Sequence, residues 1–290
     1  MNENMTLKSG KEYTDVEFNR TYAGDTILDC TQFHACTFTE SDLHRAKLFQ
    51  SFFGESTLNK CDLSSVSLVE GVFDGSEVAD TNLTDADLSY TGIYRTTWRG
   101  CTADRVDLGS ANVRETSLED CQVRVLTAKG AAFTQVTLAR VDLGRMELTD
   151  AGIQDLEARD VQLTGSTLDG VFADGVLLEN CDLHWVRISK SWIDRLTLRA
   201  CDTTGMTVRD TTFTGCDFTG WRLDKVDCKR VVFDSCTFDL DAFRKLVALQ
   251  NAGLVSLRGD TDTTVWRSLR KLGQRFIKSR EEYSAPSGRG

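Results

Sequence analysis

One residue in every five is large and apolar, in a single register that runs from Tyr13 to Phe243. The series begins Tyr13, Phe18, Ala23, Leu28, Phe33, Phe38, Leu43 and continues for 47 positions without an insertion; Thr203 is its one polar member, and Cys228 is a small hydrophobe. The residue two places earlier is small or apolar, as at Thr31, Cys36, Ser41, Ala46, Ser51 and Gly71. Between 12 and 240 neither column holds a charge, and all the charges there fall in the other three columns. Such a period fits neither an α-helix nor an alternating strand. Two inward positions in five, one large and one small, require the chain to turn a corner every five residues, so that every large side chain meets a common axis.

The sides of this coil repeat as well. Every twentieth residue from Tyr13 gives Phe33, Phe53, Phe73, Ile93, Val113 and Phe133, while the side that starts at Leu28 reads mostly leucine to Leu168. Eight of the ten cysteines occupy the small inward column. Cys61, Cys101, Cys121, Cys181 and Cys201 differ by multiples of twenty, and Cys36, Cys216 and Cys236 do so on the neighbouring side. Four sides of five residues make a square coil, and residues 11–243 make nearly twelve coils. At about 4.8 Å between stacked strands the rod is roughly 55 Å long. The one proline, Pro286, lies near the C-terminus, which suits a body whose backbone N–H groups are needed for ladder bonding.

The pentads ADLSY (86–90), TNLTD (81–85), CDLSS (61–65), SDLHR (41–45) and CDFTG (216–220) resemble the pentapeptide-repeat consensus A-(D/N)-L-x-x. The resemblance covers residues 11–243, that is 233 of 290. It implies an all-β chain: a right-handed quadrilateral parallel β-helix, here closed by a C-terminal α-helical cap. One coil alone buries too little apolar surface, and stacking makes the core continuous. A charge in either inward column would be buried without a partner.

The sequence divides into an N-terminal segment 1–10 with no evident cap, the β-helix 11–240, a capping helix 241–253, and a basic amphipathic helix with a disordered tail over 254–290. Asp241 is the expected N-cap and Gly253 the expected C′ residue of the first helix; Phe243, Leu246, Val247 and Gln250 share one face that covers the last coil. A second helix is expected from Asp262 to about Tyr283. Its apolar stripe is Val265, Leu269, Leu272 and Phe276 with Trp266 and Ile277, and Arg267, Arg270, Lys271 and Arg275 make its other surface basic. Phe243, Leu246, Val247, Trp266, Leu269, Leu272 and Phe276 are thus the candidate cap, dimer or docking residues. Two readings stand for the second helix: it folds back on the rod or pairs two rods, or it docks on a partner or an anionic membrane.

Catalytic and metal signatures are absent from the sequence. No G-x-S-x-G, Walker A, H-E-x-x-H or dinucleotide fingerprint occurs, no cysteine sits in a C-x-x-C pair, and His34, His44 and His184 occupy outward positions. The expectation is a protein that is not an enzyme, holds no cofactor and no metal, and packs free thiols in its core. The N-terminus MNENMTLKSG lacks a signal-peptide pattern and no apolar stretch is long enough to span a bilayer, so a cytoplasmic protein is expected.

Charge is uneven. Residues 11–243 carry 39 acids and 23 bases, net −16; residues 244–290 carry 4 acids and 10 bases, net +6. Asp42, Asp62, Asp142, Asp182 and Asp202 recur on one side, just before the large residue. They either hold the corner by backbone hydrogen bonding or present a carboxylate ladder that imitates duplex DNA. Another side is neutral in the same column, with Phe52, Val72, Phe172, Trp192 and Val232. The family's Qnr and MfpA-type members are acidic dimeric rods that bind DNA gyrase or topoisomerase IV, so the resemblance implies a DNA mimic that binds a type II topoisomerase, protecting or inhibiting it, with no direct nucleic-acid binding and with a homodimer among its states. The unbroken repeat and the basic second helix depart from that pattern. The alternative is a rigid scaffold or effector that presents its basic helix to a protein partner or a membrane.

Overall fold

The computed structural model describes residues 7–222 and 225–263. The described residues wind into a right-handed, four-sided parallel β-solenoid, with one helix among them near the C-terminal end. Successive turns stack with a twenty-residue offset: Tyr13 on Phe33, Phe33 on Phe53, Phe53 on Phe73. Short strands such as Glu12–Thr14 and Gln32–His34 form the first face, and Glu17–Asn19 and Thr37–Thr39 start the second. The third face, and the fourth in its early coils, are joined by single bridges such as Asp42 to Asp62 and Lys47 to Ser67. The fourth face broadens into strands from Val106–Asp107 onward.

The pentad 41–45 shows why this sequence closes into squares. Asp42 N donates to Thr21 O in the coil before (2.9 Å), and Leu43 N and Arg45 N donate to Asp62 O and Ser64 O in the coil after (2.8 and 2.9 Å). His44 N donates to the Asp42 carboxylate at 3.0 Å. The small inward residue supplies the remaining acceptor, since the Ser41 hydroxyl takes Thr21 N at 3.1 Å and donates to Phe18 O at 2.8 Å. The buried Ser41 hydroxyl is therefore satisfied, as a buried polar group generally must be. Leu43 completes the pentad by filling the axis.

The fifth residue of each pentad makes the corner in the left-handed region. Among the described residues thirty-three non-glycine residues adopt it, with φ between 49° and 61°. Each costs on the order of 1 kcal/mol; the cross-coil hydrogen bond of its N–H, such as Asp15 N to His34 O at 3.0 Å, helps hold it. Val125 and Arg145 are exceptions that lie within strands instead.

The core follows the two inward columns. Tyr13, Phe33, Phe53 and Phe73 stack with ring centroids 4.8–5.5 Å apart, and Phe18 stacks on Phe38 at 4.5 Å. Phe213 on Phe233 and Phe218 on Phe238 repeat this near the other end. Each buried phenylalanine contributes roughly 1.5–3 kcal/mol of transfer free energy. All ten cysteines are free thiols; Cys30 is exposed, Cys201 half-buried, and the other eight buried.

The ends differ from the sequence reading. Residues 7–10 are not a separate segment: Leu7 is buried, Lys8 N donates to the Tyr13 hydroxyl at 3.0 Å and Gly10 N to Asp29 O at 2.9 Å. Helix α1 spans Leu240–Asn251, and its N-cap is Asp239, whose carboxylate accepts Ala242 N at 2.8 Å, so Asp241 is a first-turn residue. That shift rotates the helix. Ala242 and Leu246 are buried and Phe243 and Leu249 partly so, whereas Val247 and Gln250 face outward. Phe243, the last member of the repeating series, belongs to the helix and not to the coil. Gly253, at φ 73°, ends α1 as expected.

After α1 the chain re-enters the solenoid. Val255–Arg258 pairs in parallel with Val231–Asp234, placing Leu257 on Phe233, and Asp262–Thr263 pairs with Thr237–Phe238. The start of the second helix expected at Asp262 is thus a strand. The helix replaces part of one coil, and a further half-coil covers the exposed edge. The rest of the expected basic helix, including Trp266, Arg267, Leu269, Arg270, Lys271, Leu272, Arg275 and Phe276, lies outside the described residues.

Candidate functional site

The five aspartates of the third face do form one column, but neutral Asn82, Thr102, Gln122 and Gln162 interrupt it. In each, one oxygen is engaged at its own corner. Asp42 Oδ1 accepts His44 N and Nδ1 (3.0 and 2.7 Å); Asp62 Oδ1 accepts Ser64 N (2.9 Å); Asp142 Oδ1 accepts Gly144 N (3.0 Å). Asp182 Oδ1 accepts His184 N and Nδ1 (2.9 and 2.7 Å), and Asp202 Oδ1 accepts Thr204 N and Oγ1 (3.0 and 2.7 Å). An Asp or Asn before the large residue is thus a backbone cap, which an Asx-turn geometry provides.

The electrostatics follow from these bonds. The hydroxyl and then the N–H of Thr204 hold the Asp202 carboxyl below its ordinary value. Partial burial pushes Asp182 up, but its bonds to His184 and Thr164 outweigh that and the net displacement is downward. The Asp42 hydrogen bond raises His44. Each imidazole also leans toward the coil on its other side, His44 Nε2 to Asp25 at 3.4 Å and His184 Nε2 to Asp202 at 3.7 Å. These clamps were not read from the sequence; the signal was Asp-Leu-His with an acid in an adjacent coil, 19 residues before His44 and 18 after His184.

Among the described residues, eleven of the 23 basic residues between 11 and 243 pair with an acid one coil distant. Arg45 meets Asp25, Arg105 grips Asp85 with both nitrogens (2.6 and 2.7 Å), Arg140 meets Asp120 and Arg195 meets Asp174. Such exposed pairs are worth about 0–1 kcal/mol each. They lower the outward field of the acids. No cation among the described residues pairs with Asp62 or Asp142.

The first face differs. Its column before the large residue carries no charge from Gln32 to Ser256. Phe172 and Trp192, one directly above the other in register, are 68% and 53% exposed. Phe52 folds over Gly54, where an added Cβ would collide with its ring. Among the described residues no cluster of His, Cys, Asp or Glu is placed to hold a metal, and no helix is long and apolar enough to cross a membrane.

No family profile and no curated protein matches the chain. Solved structures do. HetL, a pentapeptide-repeat protein involved in heterocyst differentiation regulation in the cyanobacterium Nostoc sp. strain PCC 7120, superposes with a TM-score of 0.58 at 18% identity, over 69% of this chain and 87% of its own. The chain has the pentapeptide-repeat fold. Trypsin-treated QnrB1, a plasmid-mediated fluoroquinolone resistance protein, matches the pentapeptide-repeat rod with a TM-score of 0.37 at 10% identity, over 77% of this chain and 96% of its own. Rfr23 from the cyanobacterium Cyanothece 51142 matches with a TM-score of 0.27 at 16% identity, over 40% and 85%.

Proposed function

We propose that this rod is a non-enzymatic interaction protein that meets a protein partner through its first face. The uncharged column bearing exposed Phe172 and Trp192 carries this reading. Aromatic side chains are enriched, and charges depleted, at the centres of protein interfaces. The faces of the solenoid offer a partner a surface already ordered before contact.

A second reading is a DNA mimic that binds a type II topoisomerase such as gyrase or topoisomerase IV. Its support is the net −16 of residues 11–243 together with Asp62 and Asp142, whose charges have no basic partner among the described residues. The corner bonds and the interrupting Asn82, Thr102, Gln122 and Gln162 weigh against a continuous charge ladder.

One experiment separates the two. Purified rod is added to gyrase supercoiling reactions as wild type, as Phe172→Ser/Trp192→Ser, and as the variant with Asp42, Asp62, Asp142, Asp182 and Asp202 all changed to Asn. Loss of effect in the five-Asn variant alone supports the mimic. Loss in the aromatic variant alone supports the first face with gyrase as partner. No effect of wild type removes the topoisomerase reading, and the first face is then tested by sedimentation for self-association that Phe172→Ser/Trp192→Ser abolishes.

A further inference from the structure

The axis of the rod is not filled along its whole length. A cavity of about 190 Å³ runs along it from Leu83 to Trp221. The sequence explains where it lies. The coils below it are packed by Phe33, Phe38, Phe53 and Phe73, each at most 1% exposed, and those at its upper end by Phe213, Phe218, Phe233 and Phe238. Between them the large column falls to Ala103, Ala128, Ala158 and Ala173. Leu126 and Leu156 in the small column return part of that volume from the neighbouring position. The substitution is incomplete, because Phe133, Leu138, Ile153 and Leu168 point at the axis and are nonetheless only partly buried.

The wall is apolar. Thr116 and Ser166 contribute its two hydroxyls, and both are engaged: Thr116 donates to Ile93 O (3.3 Å) and Ser166 accepts Met146 N (3.0 Å). No charged side chain lines the bore. Water in such a space would lack the two to four polar partners it needs, so the bore is dry. Dry apolar cavities of comparable size take up xenon and benzene in proteins. From the coil of Ile93 to that of Phe213 there are six stacking steps, roughly 29 Å at about 4.8 Å each. The volume is therefore drawn out into a thin channel, which suits a single file of carbon atoms better than a fused ring. The T-shaped pair Phe73–Trp98 stops it at one end and Trp221, stacked on Phe218, at the other. Trp221 also lines the open cleft beside the first turn of α1.

We propose that the bore is a binding site for a slender, neutral hydrocarbon chain. A carboxylate or ammonium group is excluded from it, since nothing in the wall compensates a charge and burying one uncompensated is prohibitive. A bound chain restores the dispersion contacts that the alanine positions forfeit and ties the aromatic-packed ends of the rod together.

The test uses the full chain with xenon, n-octane and octanoate as probes. Wild type should show a bound ¹²⁹Xe resonance, and its Tm should rise in octane-saturated buffer, because a ligand that binds only the folded state stabilises it. Octanoate should leave the Tm unchanged. Ala158→Leu and Ala173→Leu fill the bore from two coils, and each should melt higher than wild type without ligand and lose at least ten-fold in octane affinity. Ala103→Leu replaces whichever of these fails to fold. Absence of xenon and octane binding in wild type, or undiminished binding in a folded bore-filled variant, overturns the proposal; so does octanoate binding as tightly as octane.

Discussion

Ser51 stands one coil above Thr31, and its hydroxyl accepts the Thr31 backbone N–H at 3.1 Å while donating to Leu28 O at 2.8 Å. The same bridge recurs from Cys36 N to Ser56 and from Val171 N to Ser191, both at 3.1 Å. Small size is thus only half of what the inward column requires. The other half is an acceptor for a buried N–H that the cross-coil ladders leave over.

The Thr31 N–H has a second acceptor in Leu28 O at 3.3 Å, so the cleaner test is Ser56, which accepts the Cys36 N–H. Ser56→Ala should cost about 1–3 kcal/mol, the desolvation penalty of an orphaned buried N–H, although alanine fits the space. Ser56→Cys keeps a weak acceptor and should cost less. Urea unfolding of both variants decides it; equal midpoints for Ala and wild type would show that water replaces the hydroxyl.

Leu88 and Asp87 test the register. Leu88 is 3% exposed on the axis, so Leu88→Asp buries an unpaired charge and should abolish soluble folding. Asp87 faces outward, where its Oδ1 accepts Ser89 N (3.0 Å) and Oγ (2.6 Å). Asp87→Ala should therefore cost only about 0.5–2 kcal/mol, as loss of a backbone cap does, and Asp87→Asn less. Similar melting of Leu88→Asp and Asp87→Ala would refute the assignment of inward and outward columns.

The columns were legible because the inward ones exclude charge and the period never slips. The corner conformation was not, since its column admits Asp15, Arg20, Cys30, Tyr90 and Trp185 alike; the left-handed turn is imposed by the cross-coil bonds and not by residue type. The closing half-coil escaped because α1 is inserted ahead of it, so Val255 stacks on Val231 with an offset of twenty-four residues in place of twenty. Its pattern of Val255 and Leu257 inward was nonetheless that of a pentad. Asp239 and Asp241 are both acids two residues apart, and composition alone does not say which caps the helix. Of the candidate site, the aspartate column was legible as a spacing, while its capture by the corners depends on atoms that a spacing does not locate.

Acid should loosen the rod. The guanidinium groups of Arg105, Arg140 and Arg230 hold Asp85, Asp120 and Asp210 below their ordinary values. Carboxylates depressed in the folded state contribute stability that is present above the unfolded value, about 3.9, and is lost as pH falls through the folded ones. Tm should fall below about pH 4. A variant with Asn at 85, 120 and 210 should start lower at pH 7 and fall less. His44 acts in the opposite sense: its raised value contributes stability below the unfolded one, about 6.5, that disappears as pH rises through the folded one. His44→Gln should remove that alkaline component. Parallel Tm–pH curves for the Asn variant and wild type would mean that the ion pairs are inert in solution.

The closing half-coil should matter more to solubility than α1 alone. A chain ending at Phe238 leaves Phe233 and Phe238 at an open edge, both 0% exposed when Leu257 and Thr263 cover them. It should self-associate, as uncovered parallel edges do. A chain ending at Thr263 should keep the cooperative unfolding of the full protein. Sedimentation of the two fragments is the measurement, and a monodisperse 1–238 fragment would count against the capping role.

Cysteine reactivity offers a reading of the core without mutation. Thiolate is the reactive form and access limits it further. Cys30 is exposed at a corner and should label within the mixing time of an ordinary thiol reagent. Cys201 is half-buried, and the thiol of Cys181 one coil below holds its value down, so it should label next. Burial pushes Cys36 and Cys61 up, and Cys228 up to about 12. These three should react only on the timescale of opening, together with the other buried thiols. The order has a further consequence, because coils that open first release their cysteines first. Cys216 and Cys236 lie where aromatic stacking is dense, beside Phe213 and Phe233, whereas Cys121 and Cys181 belong to coils that the bore passes through. Mass spectrometry during labelling in sub-denaturing urea should therefore find Cys121 and Cys181 modified before Cys216 and Cys236. The reverse order would place the weakest coils at the end of the rod and not around its cavity.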